Sequence, residues 1–164
     1  PAAWFTSAGE DKYRRGLYTF WKRSFLHPSM LALDAPTREE CTAERVISNT
    51  PLQALALLND PSYVEASRVF AERILKEGGA DAESRIQFAF RRALSRNASP
   101  DEIAVLTALC QKHYDEFSKE PETAKQAISV GQAPVPAEVN VAELAAWTSV
   151  ARTILNLHET ITRT

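Results

Sequence analysis

Apolar residues follow a helical rhythm through most of the chain, and the densest stretch is Pro51 to Asn59. From Leu52 to Leu58 every position except Gln53 is Ala or Leu, a pattern with almost no wet side, as in a helix buried all round. Both of its ends are marked. Thr50 is placed as N-cap, Pro51 fills the first helical position, where a missing N–H costs nothing, and Gln53 completes a capping box with Thr50. The pattern predicts a short buried helix that other elements surround.

Further helices follow with explicit start and stop signals. Asp60-Pro61 restarts the helix, which runs to about Glu77 and is stopped by Gly78-Gly79. Its apolar face carries Tyr63, Val64, Phe70, Ala71, Ile74 and Leu75. Asp81 caps a helix reaching about Arg96, with Ile86, Ala89, Phe90, Ala93 and Leu94 inward. Ser99 and Glu102 form a second capping box around Pro100, and acids in the first turn suit the helix dipole. That helix presents Ile103, Leu106, Cys110, Tyr114 and Phe117 and ends before Pro121. Residues 121–129 make a short helix, 130–136 a loop or linker, and the last helix runs from about Ala137 to Leu157. Its stripe is Leu144, Trp147, Val150, Ala151, Ile154 and Leu155.

The N-terminal third is less regular. Residues 1–12 show no period and read as an arm. Leu17 to Trp21 is dense in aromatic and β-branched residues beside Gly16, which favours an extended segment over a helix. No second strand follows for it to pair with. His27 to Pro36 reads as a loop broken by prolines, and Thr37 to Val46 as one or two helical turns. The expected fold is therefore all-α: an irregular bundle of five or six helices around a short buried helix, with an extended or single-strand N-terminal arm. Residues 13–164 are expected to form a single helical domain.

Composition adds bounds. A chain of 164 residues buries roughly 70% of its unfolded surface on folding and needs no staple. Its 19 basic and 21 acidic residues give a net charge of -2, which argues against a nucleic-acid or anionic-membrane module. No apolar run approaches the roughly 20 residues of a membrane span. The first residues, Pro-Ala-Ala-Trp, show no signal peptide and read as the start of an excised fragment. Cys41 and Cys110 have no diagnostic spacing. A disulfide stays open, and a buried free thiol is the favoured reading of Cys110.

Motif chemistry is sparse. There is no Cys-x-x-Cys-His haem run, no glycine-rich phosphate loop and no Gly-x-Ser-x-Gly elbow. His27, His113 and His158 lack ligand-like neighbours, so no metal is expected, no cofactor is assigned, and no catalytic residue is named. The densest polar cluster is Arg15, Arg23, Asp34, Arg38, Glu39 and Arg45. Asp34 and Glu39 could act as a carboxylate pair, but ion pairs that pin an irregular segment are the favoured explanation. The aromatic and basic run Tyr18, Phe20, Trp21, Lys22 and Arg23 could form a stacking platform, although aromatics inside and cations outside explain it better. Thr50, Gln53, Asp60, Ser99 and Glu102 are read as structural caps.

The run YRRGLYTFWKRSFLHPSMLALDAPTREECTAERVISNTPLQALALLNDPSYVEASRVFAERIL and the closing AAWTSVARTILNLHETITR resemble a planctomycete family of unknown function. This is domain of unknown function 1553, also called planctomycete PSD. Gly16 stands where that family commonly has Ser and Leu33 where it has Phe. Thr42-Ala43-Glu44 and Ser48 replace a more basic stretch, which weakens any basic site after Cys41. The resemblance implies a C-terminal module of large exported proteins that carry cytochrome-c-like domains, with periplasmic or cell-envelope localisation, and it supplies no catalytic residues. The expected role is interaction or scaffolding. The expected partners are upstream domains of the same polypeptide or a second copy of the chain, with no nucleic acid and no direct membrane span. The alternative is an enzyme or binding module acting on complex or sulfated polysaccharide through residues 14–45.

Overall fold

The structure, a computed structural model, describes residues 9–19, 26–36, 39, 41–44 and 46–162. The chain divides into two compact units, Pro1–Ala56 and Leu57–Thr164. Its α-helices are α1 (Pro28–Ala32), α2 (Pro51–Asn59), α3 (Pro61–Glu77), α4 (Ala82–Leu94), α5 (Pro100–Lys119), α6 (Pro121–Ile128), α7 (Val141–Leu155) and α8 (His158–Ile161). There is no strand among the described residues. The all-α class stands, with eight α-helices among the described residues where five or six were expected.

In the first unit several local expectations give way. The segment read as extended opens as a 3-10 turn, Gly16–Tyr18, closed by Tyr18 N–H donating to the Arg15 carbonyl at 2.9 Å. The backbone satisfies its polar groups locally there. Phe20, Trp21, Lys22 and Arg23 lie outside the described residues. The proline-punctuated loop contains α1 instead, because Pro28 at the first helical position starts a helix even as it keeps His27 out of one. At the described positions between 37 and 46 there is no helix. Cys41, Thr42, Ala43, Glu44 and Val46 are all exposed, and so short a helix without a buried face is not self-supporting.

The largest correction concerns α2. It is helical where expected, but its only buried residue is Gln53, while Leu52 and Leu55 are 60% and 58% exposed. Its inward position is polar because the Gln53 amide closes a hydrogen-bonded knot with Asp34 and Ser48. The buried centre is α7 in the second unit, where Leu144 to Thr148, Val150, Ala151 and Ile154 are all buried. Helices α3, α4, α5, α6 and α8 all pack against it. Ala145, Ala146 and Ala151 let neighbours approach closely on several sides, and Thr148 turns its hydroxyl back to the Leu144 carbonyl at 2.7 Å. Ile74, Ile86, Phe90, Leu106 and Ile128 complete the core from the surrounding helices. Each large aliphatic or aromatic side chain buried there contributes about 1.5–3 kcal/mol.

The stretch between α6 and α7 is a loop, and it is clamped to α3. Glu65 and Arg68, each 1% exposed, reach it from one helical turn. Ala133 N–H donates to Glu65 Oε1 at 2.7 Å, and Arg68 donates to the Ala133 carbonyl at 2.8 Å. Arg68 also pairs with Glu72. Gly131, at φ +107, lies so close that an added Cβ would fall 2.5 Å from the Glu65 side chain, so only glycine fits.

Candidate functional site: a polar cleft between three helices

Of the polar residues singled out from the sequence, Asp34 is held in a hydrogen-bonded knot. Both Asp34 carboxylate oxygens are taken up. Ser48 donates its backbone N–H to Oδ2 at 2.9 Å, its hydroxyl lies 2.9 Å from Oδ1 and 2.7 Å from Oδ2, and Gln53 Nε2 lies 2.9 Å from Oδ2. Asp34 sits at φ +57 just beyond α1, a conformation that Asp tolerates better than most residues. The Thr50–Gln53 box holds the other end of Gln53, with Thr50 N–H to Gln53 Oε1 at 3.1 Å and Gln53 N–H to Thr50 Oγ1 at 3.2 Å. The knot therefore fixes backbone. Arg15 and Glu39 are exposed; Arg23, Arg38 and Arg45 lie outside the described residues.

The remaining caps are also local. Asp60 accepts from Ser62 N–H at 2.8 Å, and Ser99 and Glu102 make both bonds of their capping box. Glu102 does more than cap. Arg96 grips it with two nitrogens, at 2.9 and 2.8 Å, and also holds Glu159 at 2.8 Å while lying over Phe90. The Arg96 hydrogen bonds, with those of Ser99, pull the Glu102 carboxyl down to about 2.

The second unit carries a cleft of about 320 Å³ between α4, α5 and α7. Helical spacing assembles it. Glu143 and Trp147, four residues apart, share one face of α7; Cys110 and Tyr114 share one face of α5, with Gln111 beside them. Arg85 comes from α4 and is held twice: Nε–H donates to the Gly79 carbonyl at 3.0 Å, and Nη1 donates to Glu143 Oε1 at 2.8 Å. The turn after α3 makes the first bond available. A Cβ on Gly78 would lie 2.5 Å from the Ile74 carbonyl and 3.0 Å from Arg85 Cα, and Gly79 takes φ +99. Glu143 lies in the first turn of α7, capped by Asn140, where the helix dipole favours a carboxylate.

The guanidinium of Arg85 lies over the Trp147 ring at 5.6 Å, a cation–π contact that fixes it further. Burial, and then the Glu143 carboxylate, push the Cys110 thiol up to about 11, with Arg85 pulling the other way. Such a thiol is protonated at neutral pH and a poor nucleophile. Cys41 and Cys110 are both free. Among the described residues no three His, Cys, Asp or Glu side chains gather as a metal site. No helix there is long and apolar enough to cross a membrane.

A family model described as a protein of unknown function (DUF1553) matches residues 1–110. The chain belongs to this family. The DUF1553 match takes in Arg85 and Cys110 and stops short of Glu143 and Trp147, so the family pattern covers only part of the cleft wall. Neither a curated protein nor a solved structure matches the chain.

Of the cleft residues, the sequence singles out only Cys110, Tyr114 and Trp147, all three as members of apolar helix faces. Arg85, Gln111 and Glu143 were missed because they belong to three helices that only tertiary packing brings together. Glu65 and Arg68 were missed as well. Their positions with Glu72 at i, i+3 and i+7 place three charges in one row beside Val64 and Ala71, a signal of a charged stripe next to the core.

Proposed function

We propose that this DUF1553 chain is an interaction module, and that its partner is a neighbouring domain of the same longer polypeptide. The supporting observation is where the exposed apolar side chains fall. Among the described residues, eight of the eleven exposed large hydrophobics lie between Tyr13 and Leu55, a stretch of about a quarter of the sequence. Val46 and Ile47 are 73% and 65% exposed, and Leu52 and Leu55 sit one turn apart on α2. Single exposed apolar residues are ordinary, but this concentration is not. Covering such a side chain releases about 1.5–3 kcal/mol, enough for a few of them to hold two domains together. The Asp34 carboxylate, by contrast, is hydrogen-bonded to Ser48 and Gln53, which supports a role in holding backbone.

In this reading the chain needs no cofactor of its own. It serves an exported, periplasmic or cell-envelope protein whose other domains include cytochrome-c-like ones, as the family resemblance implies. The test is calorimetric titration of the chain with the polypeptide segment preceding it. Saturable binding is expected, and the double variant Val46→Ser/Ile47→Ser weakens it tenfold or more. No association at high micromolar concentration would refute the proposal.

A further inference from the structure

The geometry points to the cleft between α4, α5 and α7 as a binding site for a small neutral polyol, such as a monosaccharide or one terminal sugar unit. Arg85 is immobilised by Gly79, Glu143 and the Trp147 ring, yet its Nη2 makes no hydrogen bond among the described residues. Glu143 uses Oε1 for Arg85, and its Oε2 has no partner among the described residues. Gln111 donates its amide to Asp115 at 2.8 Å, which leaves its carbonyl oxygen open. Trp147 is 3% exposed and lines the cleft, and its indole N–H meets no acceptor among the described residues. Buried indoles ordinarily find one. None of these open atoms is sealed from solvent.

The groups left open among the described residues are thus two donors, Arg85 Nη2 and Trp147 Nε1, and two acceptors, Glu143 Oε2 and Gln111 Oε1, all on residues that line one cleft. Their charges cancel. A carboxylate would meet Glu143, an amine would meet Arg85, and a hydrocarbon would leave all four groups unpaired at a desolvation cost. Adjacent hydroxyls fit, since one donates to the carboxylate while its neighbour accepts from the guanidinium. The exposed Tyr114 ring offers an apolar flank for a C–H face. The cleft volume of about 320 Å³ is at the small end of ligand sites. Cys110 takes no part as a nucleophile.

The experiment is a two-dimensional NMR titration of the ¹⁵N-labelled chain with D-glucose, D-galactose and L-fucose in turn. The Trp147 indole peak is identified by its loss in Trp147→Phe. At least one sugar is expected to shift that peak saturably in the millimolar range. Arg85→Gln and Glu143→Gln, each checked for an unchanged helical spectrum, should weaken that binding roughly tenfold or more. The proposal is overturned if no sugar shifts the peak. It is equally overturned if both variants bind as the parent does, or if sodium acetate or N-acetylglycinamide shifts the peak while the sugars do not.

Discussion

Leu144→Ala and Leu55→Ala together test where the fold is anchored. Leu144 is fully buried in α7 and belongs to the main apolar cluster. Truncating it removes three carbons and leaves a cavity among helices that cannot all close in, at a cost of about 2–5 kcal/mol. For a chain of this length a loss of about 3 kcal/mol lowers the melting temperature by about 10 °C. Leu55, more than half exposed on α2, should cost about 0.5 kcal/mol or less. Far-UV circular dichroism during thermal and urea unfolding separates the two. A Leu55→Ala variant as damaged as Leu144→Ala would show that α2, not α7, holds the fold together.

Three further outcomes can be checked together. The Glu102 carboxyl is depressed in the folded chain, so its pairing stabilises fully above the unfolded value near 4.5 and is lost as pH falls towards 2. With both partners about one-third exposed, the contribution is about 1 kcal/mol or less. Stability measured between pH 6 and 2 should fall less steeply in Glu102→Gln. Gly131→Ala, forced into a positive φ against the Glu65 side chain, should lose about 1–3 kcal/mol, read as a lower urea midpoint. Iodoacetamide at pH 7.5 should label exposed Cys41 well before Cys110, whose thiol is half-buried and raised to about 11; mass spectrometry of the digested chain reports the order.

Local signals in the sequence were read well and tertiary ones were not. Asp60-Pro61, Asp81 and the Ser99–Glu102 box mark helix starts because capping is a contact between side chain and backbone a few residues apart. The same logic places α2 correctly as a helix. It says nothing of which helix lies innermost, and an Ala/Leu run looked more central than α7, whose Thr148 and Ser149 lower its apparent apolarity. Asn140 was overlooked as the cap of α7 because the expected start lay at Ala137. Glu65 and Arg68 look like solvent-facing charges until the 131–134 backbone, nearly seventy residues on, is laid over them. The cleft needs Arg85, Gln111 and Glu143 from three separate helices, a convergence that no spacing encodes.

The interaction reading is tested most directly by carbene footprinting of the chain alone and of the chain joined to the domain proposed to precede it. Labelling at Leu17, Tyr18, Leu31, Val46, Ile47 and Leu52, all exposed in the isolated chain, should fall severalfold when the neighbour is present. Val105 and Val135, exposed on the second unit, should stay unchanged. Equal labelling of the N-terminal set in both samples would contradict the proposal that these side chains are the docking surface.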